Sequence, residues 1–166
     1  TSPVGYEEIV SDPSYTDQGV VMTYPLIGNY GVNTMDAESD APSLSALIVG
    51  EYNPYPSNFR SERSLGSWLD GCGIPGLYGV DTRMLARKIR MEGSMRAFLS
   101  GAETTVPEAL EKIRTTARPQ DAVARVSTGK IYTVCGDFPR FRVAAVDCGI
   151  KKNILRSLTA RGCAVT

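Results

Sequence analysis

The sequence predicts an α/β fold, and three observations carry that reading. Two short apolar runs without helical periodicity, QGVVMTY at 18–24 and SALIVG at 45–50, have the character of buried strands. After them come segments with apolar residues at helical spacing, each with a start signal of its own. Finally, residues 142–165 lay out strand, turn, helix and strand in quick succession, the opening of a β-α-β unit.

Taken in order, the elements are these. Residues 1–17 are turn-rich, and Asp12-Pro13-Ser14-Tyr15 has β-turn chemistry, with Pro presetting φ at the second position. Strand 18–24 ends at Pro25. Ile27-Gly28-Asn29-Tyr30-Gly31 is a glycine-rich loop, and the acidic stretch 34–43 is expected to be a solvated loop. After strand 45–50, Ser61 is the expected N-cap of a helix whose inner face is Leu65, Trp68 and Leu69, with Trp68 as its core anchor. A second helix starts at Asp81 or Thr82, with Leu85 and Ile89 on one side and a basic face of Arg83, Arg87, Lys88 and Arg90; Gly93 ends it. Residues 95–99 are expected to form a strand. Thr105 and Glu108 match a capping box, with Pro107 in the first turn of a third helix. Residues 116–140 read as tail and linker with one β-like run, 130–134. Then come a strand at 142–146, the turn Asp147-Cys148-Gly149, a helix at 153–161 and a strand beginning at Cys163.

Composition narrows the chemistry. The chain has 166 residues with 18 Lys+Arg against 18 Asp+Glu, so no global basic field draws nucleic acid or an anionic membrane. No apolar run is long enough for a transmembrane helix, and Thr1–Glu8 lacks the basic and apolar regions of a secretory leader. Cys72, Cys135, Cys148 and Cys163 are far apart, with no C-x-x-C pair. They read as free thiols of a reducing, cytoplasmic compartment, and no metal site is expected. Histidine is absent. Every Ser-His-Asp, Cys-His-Glu or HExxH arrangement is thereby excluded within the chain, and no catalytic residue is assigned to it.

Four stretches, GYEEIVSDPSY (5–15), TYPLIGNYGVN (23–33), GIPGLYGVDTRMLARKIRMEGSMRAFL (73–99) and VAAVDCGIKKNILRSLTARGCAVT (143–166), resemble the small subunit of glutamine-hydrolysing carbamoyl phosphate synthetase. The resemblance implies a swivelling β/β/α three-layer domain over residues 1–135. Residues 141–166 would be the start of a flavodoxin-like class I glutamine amidotransferase domain. It also implies further strands ahead of Gly5 and the remainder of an α/β domain, with a Cys-His-Glu triad, after Thr166. Cys148 and Cys163 lie outside that triad.

The same resemblance implies that the small subunit hydrolyses glutamine and passes ammonia to a large synthetase subunit. That partner, using ATP, bicarbonate and Mg, makes carbamoyl phosphate for pyrimidines and arginine. This chain would hold no cofactor and would be inactive alone. It implies that Ser14 touches glutamine, whereas the residues alone read Ser14 as a turn serine. Read alone, the 27–31 loop is a structural turn, the α-helical basic face is solvated, and Lys151 and Asn153 are helix-start residues rather than phosphate ligands. Asp147-Cys148-Gly149 lacks the G-x-G-x-x-G of a dinucleotide site. The alternatives are a non-catalytic domain that docks on the synthetase and, more remotely, a nucleotide-binding α/β protein.

Overall fold

The computed structural model describes residues 5–166; residues 1–4, half of the stretch read against a secretory leader, lie outside the described residues. Strands β1 (Gly19–Ile27), β2 (Ala46–Tyr52) and β3 (Gly76–Leu77) form a parallel sheet in the order β1-β2-β3. The fold is thus mixed α/β with parallel strands, as the alternation of elements predicts. Central β2 carries buried Ala46, Leu47 and Val49, the apolar run expected of a strand covered on both faces. One expectation fails here: β1 does not stop at Pro25. It continues to Ile27 through a register shift between Met22 and Leu26. Pro25 lacks an N–H, but β1 is the outer strand of its sheet, where an irregularity absorbs the missing ladder bond.

Parallel neighbours need a crossover, and this dictates the loops. Residues 28–45 make the first crossover without a helix. The expected solvated loop at 34–43 is therefore corrected: Ala37 and Glu38 are buried within it, and Glu38 is held between Ser11 and the residues around Asn153. Gly31 has φ +69, and a Cβ there would meet the Ser61 side chain and come within 2.9 Å of the Arg63 carbonyl. The glycine-rich loop is a structural turn at this position, pressed against the second crossover. That crossover carries α2 (Leu65–Gly71). Its N-cap is Ser64 rather than Ser61; Ser64 Oγ accepts from Ser67 N at 3.1 Å, while Ser61 closes the preceding turn on Asn58. Leu65, Trp68 and Leu69 are buried as expected, and the Arg63 guanidinium lies 5.5 Å from the Trp68 ring centroid.

Helix α1 (Tyr6–Val10) occupies a stretch expected to be only turns. Gly5 offers no capping side chain, so the start of this short helix is satisfied from elsewhere. The Tyr30 hydroxyl accepts from Gly5 N at 2.7 Å and Tyr6 N at 2.9 Å, the two rings stack at 4.0 Å, and Tyr6 donates to the Gly31 carbonyl.

Helix α3 (Thr82–Glu92) lies on β1 and β2, with Asp81 accepting from Met84 N at 2.9 Å. Its basic residues Arg83, Arg87, Lys88 and Arg90 are exposed. Residues 95–99 form no strand. They have no strand partner and are exposed throughout; Phe98 instead sits 5.0 Å from Lys112 Nζ. That lysine belongs to α4 (Val106–Thr115), which has the predicted capping box: Thr105 N and Oγ both reach Glu108 Oε2 at 2.8 Å. The expected linker contains α5 (Ala122–Val126), and the 130–134 run contributes a single antiparallel bridge, Val134 to Val165. Strand β4 is Phe141–Val143, shorter than expected. It pairs in parallel with β5 (Cys163–Val165) across α6 (Lys152–Ala160).

Candidate functional site

Ser14 lies in a 3-10 turn, Pro13–Tyr15, that follows α1 directly. Asp12 caps this turn: its Oδ1 accepts from Ser14 N at 2.9 Å, and its carbonyl accepts from Tyr15 N. Asp12 and Pro13 are buried, whereas Ser14 is exposed. The backbone is thus fixed while the serine itself stays exposed, with its hydroxyl near the Asp12 carboxylate. Behind it, Ser11 Oγ donates to the Glu7 carbonyl at 2.7 Å and accepts from Glu38 N at 2.8 Å.

A second turn, Asp147 to Lys151, meets the first. Asp147 organises it by accepting from Gly149 N and Ile150 N through Oδ1 and from Thr128 N through Oδ2, each at 2.8 Å. Burial raises the Asp147 carboxyl, but these three N–H groups outweigh it and leave the group below the usual carboxylate range. Gly149 has φ +95, and a Cβ there would approach Val126 Cγ2 to 2.8 Å and Pro13 Cβ to 3.2 Å. Glycine lets this turn lie directly on the Ser14 turn. Lys151 Nζ reaches Asp12 Oδ2 at 2.6 Å. Burial alone would raise Asp12; Lys151 and both the amide and the hydroxyl of Ser14 reverse this and hold it low, while the Asp12 contact pushes Lys151 up. A cleft of about 400 Å³ borders the second turn, lined by Thr128, Lys130, Tyr132, Asp147, Ile150 and Thr166 among others.

The seam joining these parts has one polarity. Acids come from residues 12–40 and bases from residues 125–156: Asp12 with Lys151, Asp17 with Arg125, and Asp40 with Lys152. The Arg156 guanidinium adds a 3.4 Å bond to the Ala37 carbonyl. Exposed ion pairs contribute little individually, but together they set which faces meet. Buried Glu38 sits among them, accepting from Asn153 N at 2.9 Å.

Of the residues singled out in the sequence, Ser14, Lys151 and Asn153 converge here, and the last two are helix-start residues as read. The basic face of α3 takes no part in the contacts of this seam. Cys148 is exposed in the second turn and Cys163 is buried in β5; all four cysteines are free. Sequence reading missed Glu38, Asp17 and Arg125. A signal for Glu38 existed: the helix after Gly149 starts at Lys151-Lys152 without a capping residue, so its first N–H groups need an acceptor from elsewhere.

Comparison with known proteins converges on one family. The model of the carbamoyl-phosphate synthase small chain, CPSase domain, matches residues 1–99. The carbamoyl phosphate synthase small chain of Chlorobaculum tepidum is 50% identical over 170 aligned positions, covering 100% of this chain and 46% of its own length. That of Oceanobacillus iheyensis is 45% identical over 166 residues, covering 100% and 45%. The pyrimidine-specific small chain of Halalkalibacterium halodurans is 48% identical, covering 99% and 45%. The chain spans about 45% of the length of these relatives. Matched by the family over more than half its length and by relatives over nearly all of it, the chain belongs to the carbamoyl-phosphate synthase small chain family.

Proposed function

We propose that this chain is the N-terminal part of a small chain that hydrolyses glutamine and hands ammonia to a synthetase partner, with Ser14 supplying a hydroxyl to the bound glutamine. In this reading residues 1–135 are a three-layer β/β/α domain, and residues 141–166 open a flavodoxin-like amidotransferase domain. The protein works in the cytoplasm. The nucleophile lies outside these residues, and ATP, bicarbonate and Mg are handled by the partner. Hydrolysis through a cysteine thioester splits a difficult amide cleavage into two easier steps, and an oxyanion hole stabilises the tetrahedral intermediate. The role left for this chain is to build one wall of the glutamine pocket.

The observation that supports this best is the seating of the Ser14 turn on the Asp147–Lys151 turn through the Asp12–Lys151 pair. It fixes an exposed serine, its hydroxyl able to donate and accept, beside the first loop of the following β-α-β unit. Ser14→Ala in the full small chain, assayed with its synthetase partner, tests it. Loss of a hydrogen bond to a charged substrate group is worth about 1.5 kcal/mol, or roughly a tenfold rise in KM for glutamine, with kcat little changed. An unchanged KM removes Ser14 from the site.

A further inference from the structure

Helix α6 begins without a cap of its own. Lys151 holds the N-cap position and makes no side-chain cap bond, and the first N–H groups of a helix have no acceptor inside it. Two of them are satisfied by one residue far back in the chain. The Glu38 carbonyl accepts from Lys152 N at 2.9 Å, and Glu38 Oε2 accepts from Asn153 N at 2.9 Å. At 9% exposure Glu38 is buried, and a carboxylate at this end of a helix is favoured by the helix dipole.

The other side of Glu38 faces the Ser14 turn. Its backbone N–H donates to Ser11 Oγ at 2.8 Å, and the neighbouring Ser39 hydroxyl donates to the Ser11 carbonyl. Ser11 directly precedes Asp12, which caps the Ser14 turn and pairs with Lys151. The contacts close a ring: Ser11 to Glu38, Glu38 to the start of α6, Lys151 to Asp12, and Asp12 back to Ser11. Glu38 is the member that grips both halves, using its amide on one side and its carbonyl and carboxylate on the other.

We propose that Glu38 is a positioning residue for the glutamine pocket: by capping α6 from a distance while holding Ser11, it locks the Ser14 turn against the Asp147–Lys151 turn. This rests on the reading of Ser14 given above. Without the carboxylate, the start of α6 frays and the two turns separate part of the time. Glutamine then meets a competent pocket in only a fraction of molecules, and its apparent affinity falls by that fraction. The chemical step, once glutamine is seated, is unaffected. Glu38→Gln retains an acceptor for Asn153 N; Glu38→Ala does not.

The test uses the full small chain in complex with its synthetase partner, comparing E38A, E38D, E38Q, S14A and the E38A/S14A double variant. Glutamine KM and kcat are measured, together with amide exchange at Lys152 and Asn153. The expected result for E38A is a rise in KM of up to about tenfold, the most that a lost helix cap can produce through the competent fraction, with kcat nearly constant. Exchange at the two amides accelerates in E38A and stays slow in E38Q, whose KM remains close to wild type. The double variant is no worse than S14A alone, because Glu38 acts through Ser14. If E38A does not assemble, E38D carries the test, since its shortened carboxylate falls short of Asn153 N and KM rises in the same direction. A KM raised by S14A but not by the Glu38 variants overturns the proposal alone. Multiplicative effects in the double variant overturn it as well. A KM unchanged by S14A refutes the Ser14 reading, and the proposal falls with it.

Discussion

Glu7 lies at 1% exposure in the first turn of α1, a buried carboxylic acid, and its replacement by glutamine gives a quantitative test of the fold. Burial pushes its carboxyl from 4.5 up to about 7; the Asn33 amide, donating to Oε1 at 2.8 Å, opposes the rise, and the negative fields of Asp36, Glu8 and Glu62 add to it. A raised acid binds its proton more tightly in the folded state than in the unfolded one. Its contribution to stability is therefore complete below pH 4.5 and is lost as pH rises through about 7. Integrated from pH 5 to pH 8, those two values give a loss of roughly 2.5 kcal/mol. Glu7→Gln removes this titration. It also turns an amide NH2 toward Asn33 Nδ2, which now donates to Oε2 at 3.3 Å. Asn33 cannot flip to relieve this, because its Oδ1 accepts from Met35 N and Asp36 N. That lost bond destabilises by about 1 kcal/mol at every pH. In urea denaturation, wild type should match or exceed the variant at pH 5, and the variant should be ahead by about 1–2 kcal/mol at pH 8. Parallel stability curves across that range would refute the argument, since Asp12, Asp36 and Asp147 are held low and titrate on the acid side.

Two further outcomes are expected. Trp68→Ala empties a fully packed position at the centre of the core and should lower the unfolding free energy by about 3–5 kcal/mol, read from the denaturant midpoint at constant m-value. Gly149→Ala forces a Cβ into Val126 and Pro13 at a φ of +95; a loss of about 1–3 kcal/mol and faster amide exchange at residues 14–15 are expected, and exchange confined to residues 147–151 would show that the two turns are not mechanically joined.

Elements whose signals are local were legible in the sequence. The Thr105–Glu108 capping box, the Asp81 cap, the Leu65-Trp68-Leu69 stripe and the two apolar strand runs need only their own residues to form, and all are present. The misses share a cause. Pro25 ends a strand only if its missing N–H is needed, and whether β1 lies at an edge is a property of the sheet. Residues 95–99 have the composition of a strand but no neighbour to pair with. Helix α1 has no cap of its own and forms because Tyr30 accepts its first N–H groups. In each case a partner distant in sequence decides the local outcome.

The same distinction separates the visible from the hidden part of the site. Ser14 is a candidate because the contiguous stretch around it, GYEEIVSDPSY, carries the family resemblance; its turn chemistry alone reads as a turn serine. Nothing contiguous distinguishes Glu38 from its neighbours Asp36 and Asp40, and an acidic run is most simply read as a solvated loop. What changes that reading is topology. Two adjacent parallel strands require a crossover, and a crossover without a helix must satisfy its polar groups by packing against something. Here it packs against a helix whose start, Lys151-Lys152, supplies donors and positive charge but no acceptor. Acidic crossover and uncapped basic helix are each an unbalanced element in the sequence; placed together they complete each other, and the turn that carries Ser14 is held at the point where they meet.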